Sequence, residues 1–381
     1  MDASAGTGQA MRDIANDTSV AFDARSLPDD GTGDSTYMRE LVAALARLYP
    51  QQKYLLYSST HGNIREALSR EFPNVESTLL SCKIGWLWNQ NALVPHLENI
   101  GVRLLHTQYL LPRRFRGAMV VTIHDVSFRE HPEWFPTRAF YAMNFLFTRA
   151  ARWADIVITG SEYSRQAIAR TCGVSLEKIK VTPYAAASWA KPATKEQGMA
   201  IAQKYQFQAP FLLGVGLRGV RKNPIVVLRA IEKLRKQPQF AEVKLALTGS
   251  PAHFGDEIVN HPAAHFLGWV PAEDLPPLYA AAAAAVYPSL YEGFGLPVLE
   301  AMACACPMIC SNTTSIPEVA GEAAIQLAPA DVDGWVRAIE QIVSDKAKRQ
   351  EIIEDGQKRA ALFSWERTAR ETMGIYQTLL D

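Results

Sequence analysis

Cysteine is scarce in this chain of 381 residues: Cys82, Cys172, Cys304, Cys306 and Cys310 are all there are. An odd, unevenly spaced set builds no disulfide framework, so a reducing compartment, the cytoplasm, is expected. Net charge is missing as well, because Lys plus Arg and Asp plus Glu both number 39. Without a global field to recruit polyanions, no nucleic-acid partner is expected. No apolar run approaches the roughly 18 residues of a membrane span. The opening MDASAGTGQAMRDIANDTS lacks the basic flank and apolar core of a signal peptide, and residues 1–19 read as a disordered tail. A Gly-x-Ser-x-Gly nucleophile elbow is absent, as is a phosphate loop ending in Gly-Lys-Ser or Gly-Lys-Thr.

What is present is alternation. Short apolar runs such as VAFD, KYLLYSS, VRLLHTQ, MVVTIHD and DIVITG are separated by amphipathic stretches such as YMRELVAALARLYP, the pattern of a parallel sheet wound with helices. The pattern lapses in AAASWAKPATKEQGMA and restarts at FLLGVG. The expected organisation is therefore α/β, with two doubly wound domains. Residues 20–188 form the first, 189–199 a linker and 200–363 the second, the length suiting about two cores.

The densest chemistry lies in VYPSLYEGFGLPVLEAMACACPMIC, residues 286–310. Gly293 and Gly295 allow a sharp turn after a strand, and Pro297 suits the first turn of a helix, where its missing N–H costs nothing. Glu292 then falls in the loop and Glu300 in the first turns of the helix. Free N–H groups at such a helix start receive an anion, and the two carboxylates accept hydrogen bonds from sugar hydroxyls. The stretch FLLGVGLRGVRKNP carries Gly214, Gly216 and Gly219 in dinucleotide-binding spacing, but Asn223 and Pro224 place the helix start after the third glycine. The next strand, KLALTGS, ends in Thr248 where a nicotinamide enzyme needs an acid for the adenosine ribose. A glycine turn that delivers Arg221 and Lys222 to a helix start suits a diphosphate instead.

Other clusters read more simply. Cys304, Cys306 and Cys310 lie in an apolar run without a fourth ligand, as buried thiols do, and Pro262 interrupts His261 and His265, so no metal site is expected. Asp29, Asp30 and Asp34 around Gly31 and Gly33 read as turn chemistry before a helix. His124 and Asp125 close the strand MVVTIHD, at the edge where parallel sheets place ligands. Arg113, Arg114 and Arg116 precede the aromatic, basic segment WFPTRAFYAMNFLFTRAARWA, which reads as a core-packed helix with a basic face or a membrane-surface contact.

The series FDARS with GTG, HDVSFREHPEWFP, DIVITGSEYSRQAI, GVGLRGVRKNP, FLGWVPAEDLPPLY and PSLYEGFGLPVLEAMACACP resembles family 4 retaining glycosyltransferases and spans nearly all of the chain after the tail. Glu292 and Glu300 match the family's pair of glutamates with seven residues between them. Leu217 departs from it, where several members carry a phosphate-binding arginine, and so does Ala305 in place of a common glycine. The resemblance implies the GT-B fold: two Rossmann-like domains facing across a cleft, acceptor on the first and nucleotide-sugar on the second, with a last helix, 364–381, packing back on the first. It implies that Glu300 binds the ribose, Glu292 the donor sugar, and Phe294, Gly295 and Leu296 the sugar and diphosphate through their N–H groups. Trp269 and Val270 would border the base, His124 would reach the donor sugar, the Gly31 to Gly33 loop would close over the phosphates, and Arg221 and Lys222 would take the leaving-group charge without a metal. The bacterial polysaccharide and lipopolysaccharide members it looks like include many mannosyltransferases. The expected reaction is accordingly transfer of mannose from GDP-mannose to a glycan or lipid-linked glycan, by an enzyme with possible peripheral contact to the inner membrane surface. A UDP-sugar donor and a sugar-nucleotide epimerase are the alternatives.

Overall fold

The computed structural model describes residues 19–27, 32–60, 62–82, 88–207 and 210–381. The chain divides into two compact units, the first ending at Tyr184 and regaining Trp365–Asp381, the second comprising Ala185–Ser364.

Unit 1 contains β1 (Val20–Asp23), β2 (Tyr54–Ser58), β3 (Val75–Leu79), β4 (Leu104–Gln108), β5 (Ala118–Thr122), β6 (Ile156–Thr159) and β7 (Ile179–Val181). They form one sheet in the order β3-β2-β1-β4-β5-β6-β7, with every pairing parallel. The central strands β1, β2 and β4 are buried at every position. Helices cover both faces of such a sheet, which is why these strands are buried throughout, the polar His106, Thr107 and Gln108 of β4 included, and do not alternate between buried and exposed positions. Thr32 caps the helix Gly33–Leu48 by accepting from Ser35 N at 3.2 Å. Ser161 caps Glu162–Cys172 in the same way through Ser164 N at 3.1 Å, and Gly173 ends that helix at φ 65°. Each such cap contributes about 1 kcal/mol.

The last helix, Trp365–Leu380, packs on Gly33–Leu48. Its Tyr376 hydroxyl lies 2.5 Å from Nδ1 of the fully buried His106, whose Nε2 is 2.7 Å from Thr122 Oγ1. Burial pushes the His106 imidazole down to about 3, with the neighbouring His124 adding to the shift, so the ring stays neutral.

Unit 2 contains β8 (Phe211–Gly214), β9 (Lys244–Thr248), β10 (Ala264–Gly268), β11 (Ala284–Tyr287), β12 (Met308–Ser311) and β13 (Ile325–Leu327). These are again all parallel, in the order β10-β9-β8-β11-β12-β13. In both sheets the order reverses at one place, between β1 and β4 in unit 1 and between β8 and β11 in unit 2. Loops leaving the carboxyl ends of strands on either side of such a reversal diverge to opposite faces and leave a crevice for a ligand.

The segment expected to be a linker requires a correction. Residues 195–204 form a helix, Lys195–Lys204, begun by a capping box in which Thr194 and Gln197 satisfy each other's backbone N–H. Gly31 lies outside the described residues. Gly33 is the first residue of a helix rather than part of an open loop.

Candidate functional site

Unit 2 builds its site where β8 and β11 part. After β8 the chain turns through Gly216 and Gly219, at φ 67° and 80°, into a short turn Val220–Lys222. Asn223 then adopts a left-handed conformation at φ 51°, and Pro224 opens the helix Pro224–Leu234. Gly216 N donates to Thr248 Oγ1 at 3.0 Å, tying the loop to the end of β9. Two further bonds stitch it to the loop after β11: Leu290 N donates to Arg221 O at 2.8 Å, and Asn223 Nδ2 donates to Pro288 O at 3.3 Å.

These backbone links bring together side chains that are far apart in sequence. Lys222 Nζ is 2.6 Å from Glu292 Oε1 and 2.6 Å from the Tyr287 hydroxyl, and lies 4.8 Å from the centroid of the Tyr287 ring. The pair is largely shielded, with side chains 14% and 8% exposed. Tyr287 is fully buried, and burial together with the Glu292 charge pushes its phenol well above the ordinary range, so it remains a hydroxyl. Moving two ions out of water costs several kcal/mol each, which their attraction must offset. A fold optimised for stability alone has little need of such a pair, whereas a site that meets anions and hydroxyls needs both charges in place.

A second belt fixes the glutamate loop from below. Glu292 N donates to Thr314 Oγ1 at 3.0 Å, and the Ser315 hydroxyl donates to Glu292 O at 2.9 Å and Phe294 O at 3.0 Å. The Ser311 and Thr313 hydroxyls both donate to Ser289 O, at 2.5 and 3.2 Å. Gly295 then turns at φ 105°, a conformation that side chains rarely adopt, and the helix Leu296–Ala303 begins with Pro297 in its first turn. Glu300 lies on this helix and is 7% exposed, and Phe294 is buried. Two helix starts, a lysine and the Glu292 carboxylate thus lie at one sheet edge, with Glu300 on the second of those helices, an arrangement that can hold an anion beside a polyol.

Sequence reasoning missed Tyr287 and the hydroxyl belt Ser311, Thr313, Thr314 and Ser315. The first reads as one more apolar strand residue. The second has a visible signal in retrospect, an unbroken polar run, SNTTS, directly after a buried strand. Trp269 and Val270 follow β10, two strands from β8. Trp269 is 61% exposed and Val270 is buried. The thiols of Cys304, Cys306 and Cys310 are free and buried. Among the described residues no group of three or more His, Cys, Asp or Glu side chains could hold a metal ion.

In unit 1, His124 follows β5 close to the reversal between β1 and β4, and it is bound on three sides. Its Nδ1 is 2.7 Å from the Tyr184 hydroxyl and its Nε2 2.6 Å from Gln108 Oε1, while its carbonyl accepts from the Ser164 hydroxyl at 3.1 Å. Asp34 Oδ1 lies 3.7 Å from Nε2. Burial pushes the imidazole below its ordinary value, against the pull of Asp34 and Asp125. Both ring nitrogens of His124 are engaged within unit 1.

Two doubly wound units, one with a cation and a carboxylate joined at its switch point, are consistent with the GT-B fold. Comparison with known proteins narrows the class. A family model described as "Glycosyltransferase Family 4" matches residues 32–185, and one described as "Glycosyl transferases group 1" matches residues 209–345. O-antigen chain mannosyltransferase B of Escherichia coli is 36% identical over 279 residues, covering 71% of this chain and 73% of that one. MMP alpha-(1->4)-mannosyltransferase of Mycolicibacterium hassiacum is 29% identical over 247 residues, 63% of this chain and 58% of its own length. Among solved structures, Anabaena HepE in complex with UDP and glucose superposes with a TM-score of 0.73 at 17% identity, covering 95% of this chain and 100% of that one. The chain belongs to glycosyltransferase family 4.

Proposed function

We propose that this glycosyltransferase moves mannose from GDP-mannose to a glycan or lipid-linked glycan acceptor during bacterial surface polysaccharide synthesis, with retention of configuration and without a metal. The observation that carries the reading is the Lys222, Glu292 and Tyr287 cluster at the switch point of unit 2. Mannose is supported by the two relatives named as mannosyltransferases.

In this reading the bond from the anomeric carbon to the diphosphate breaks, and the departing GDP gains negative charge. Lys222, Arg221 and the start of Pro224–Leu234 stabilise that charge, so no acid need protonate the leaving group. The acceptor oxygen attacks the same face, and its proton passes to the departing phosphate oxygen. Glu292 binds the transferred sugar through its hydroxyls and Glu300 the ribose. Trp269 and Val270 border the base. His124 remains assigned to the donor sugar, through contacts that its engaged nitrogens do not supply.

The donor and metal assignments are tested together. GDP is expected to raise the melting temperature of the full chain more than UDP, because a ligand bound only by the folded state adds to its stability. Transfer from GDP-mannose is expected to persist in EDTA. A larger shift with UDP would reassign the base, and activity lost in EDTA and restored by manganese would refute the metal-free chemistry.

No helix among the described residues is long and apolar enough to cross a membrane. We place the enzyme in the cytoplasm and propose peripheral contact with an anionic membrane through the helix Thr137–Trp153. Tyr141 and Phe145 are 66% and 60% exposed along it, with Leu146 and Trp153 also exposed. Arg149 lies 4.8 Å from the Phe145 ring and 4.0 Å from that of Trp153, so the aromatic stripe carries its own cation, and Arg138 and Arg152 are exposed on the same helix. Interfacial helices combine an aromatic face with basic residues in this way. Changing Tyr141, Phe145 and Trp153 together to serine is expected to reduce co-sedimentation with phosphatidylglycerol vesicles roughly tenfold or more. Undiminished binding would remove this surface from the proposal.

A further inference from the structure

Tyr184 and Trp365 are the residues at which the chain leaves and re-enters unit 1, and both belong to the packing around His124. The Trp365 ring stacks on Tyr184 at 6.2 Å and 9°, and the Tyr37 ring contacts Tyr184 at 4.7 Å and His124 at 4.9 Å. Tyr109 closes the other side of the imidazole at 5.4 Å. The Tyr184 hydroxyl is thereby fixed in direction, and its position depends on a ring stack rather than on a single bond.

The hydrogen-bond chain around His124 determines its tautomer. Gln108 points its amide nitrogen at Ser26 Oγ, 2.5 Å away, and at the backbone carbonyl of Asp34, 3.3 Å away. A carbonyl only accepts, so that end of the amide must be the NH2 group and the other end the oxygen. Gln108 Oε1 therefore faces His124 Nε2, which must carry the proton and donate. Nδ1 is left as a bare acceptor, and the Tyr184 O–H donates to it. Burial holds the Tyr184 phenol well above its ordinary value, so this donor is not lost at physiological pH.

We propose that Tyr184 is a positioning residue that fixes His124 as the neutral Nε2–H tautomer, with Gln108 as its counterpart on the other nitrogen. The kinetic consequence rests on the glycosyltransferase reading; the tautomer does not. A ring held in this way cannot take or give a proton during transfer without breaking its bond to Tyr184 or Gln108. It presents carbon edges and a fixed surface to a sugar, not a titrating base.

The sign of the pH effect follows. An O–H donated to Nδ1 favours the neutral ring, as burial does, while Asp34 and Asp125 favour the cation. Tyr37, Tyr109 and Tyr184 bring no charge while their phenols are protonated. Deleting the Tyr184 hydroxyl removes one support of the neutral form, so the His124 pKa should rise. The protonated fraction at any given acidic pH is then larger than in the wild type.

The test is nitrogen NMR of the full chain labelled with 15N-histidine, with the His124 signal assigned by its loss in His124→Gln. The wild-type spectrum is expected to show a protonated Nε2 and a bare Nδ1 at neutral pH. A proton on Nδ1, or a cation, would overturn the proposal without any variant. Tyr184→Phe keeps the stacked ring. It is expected to shift the Nδ1 signal, raise the titration midpoint, lower transfer turnover roughly tenfold at unchanged donor KM, and add a fall in activity at low pH. An unmoved spectrum and an unmoved pH profile in that variant would overturn it. Gln108→Leu provides a second check, because it should free Nε2 and leave the Tyr184 bond to Nδ1. Because the spectrum is read without substrate, the expected tautomer in a protein that transfers nothing counts against the enzyme reading alone. Normal transfer with the opposite tautomer counts against this proposal alone.

Discussion

Replacing Lys222 with alanine is expected to lower transfer turnover by about 10²–10³-fold, the usual consequence of removing one preorganised stabiliser of leaving-group charge. The ammonium is held within 2.6 Å of both Glu292 and the Tyr287 hydroxyl, so it is already in place when a donor arrives and need not be ordered during the reaction. Its charge acts in a site shielded from water, where an interaction with a developing diphosphate is worth more than at the surface. The variant also leaves Glu292 without its cation. Breaking a buried pair from one side costs up to roughly 3–5 kcal/mol, and the Tyr287 hydroxyl beside the carboxylate moderates the loss. A lower melting temperature with an intact circular dichroism spectrum is therefore expected alongside the loss of turnover. Arginine should rescue only in part, because a planar fork does not match a point contact to one carboxylate oxygen and one phenol. Turnover within a few fold of wild type in folded Lys222→Ala would sink the assignment of the diphosphate to this loop.

The way this pair is formed shows what the sequence could and could not reveal. The strands were legible because parallel sheets buried on both faces leave short unbroken apolar runs, and FLLG and AAVY are buried at every position. The cap at Ser161, the helix start at Asn223 and Pro224, and the turn at Gly295 were legible because each is a local rule in which one residue type satisfies one backbone demand. The contact between Lys222 and Glu292 was not, although both had been singled out. It depends on β8 lying beside β11, and strand order is a property of the whole sheet that no local pattern encodes. The same limit hid Tyr287, whose hydroxyl matters only because Lys222 arrives from another loop. For His124 the position was legible and the partners were not: Gln108 comes from β4 and Tyr184 from the end of the unit. The helix Lys195–Lys204 was missed for a different reason. Its apolar periodicity is weak, and Lys191 and Pro192 before it suggest a linker, while the capping box of Thr194 and Gln197 is the overlooked signal.

The two glutamates of the site should fail in different ways. Glu292→Ala is expected to lower turnover by about 10²-fold or more, as the loss of a group that orients the reacting sugar does. It should leave the affinity for GDP unchanged or higher. The second half of that expectation comes from the ion pair: Glu292 offsets the charge of Lys222, so deleting the carboxylate leaves a stronger cation for a diphosphate. Glu300 is one helix further on, buried at 7% exposure on Leu296–Ala303, and is assigned to the ribose. Its alanine variant should weaken donor and GDP binding together, by roughly tenfold or more for lost hydrogen bonds to a charged group, with a smaller effect on turnover at saturation. Titration of each variant with GDP by calorimetry, beside steady-state transfer, separates the two cases. The discriminating quantity is the ratio of the two losses. If Glu292→Ala weakened GDP as much as it slowed transfer, the carboxylate would be acting on the nucleotide and the division of roles along the loop would be wrong. If GDP bound more tightly while transfer collapsed, Glu292 would be identified as a group that acts on the sugar while offsetting part of the Lys222 charge felt by the diphosphate.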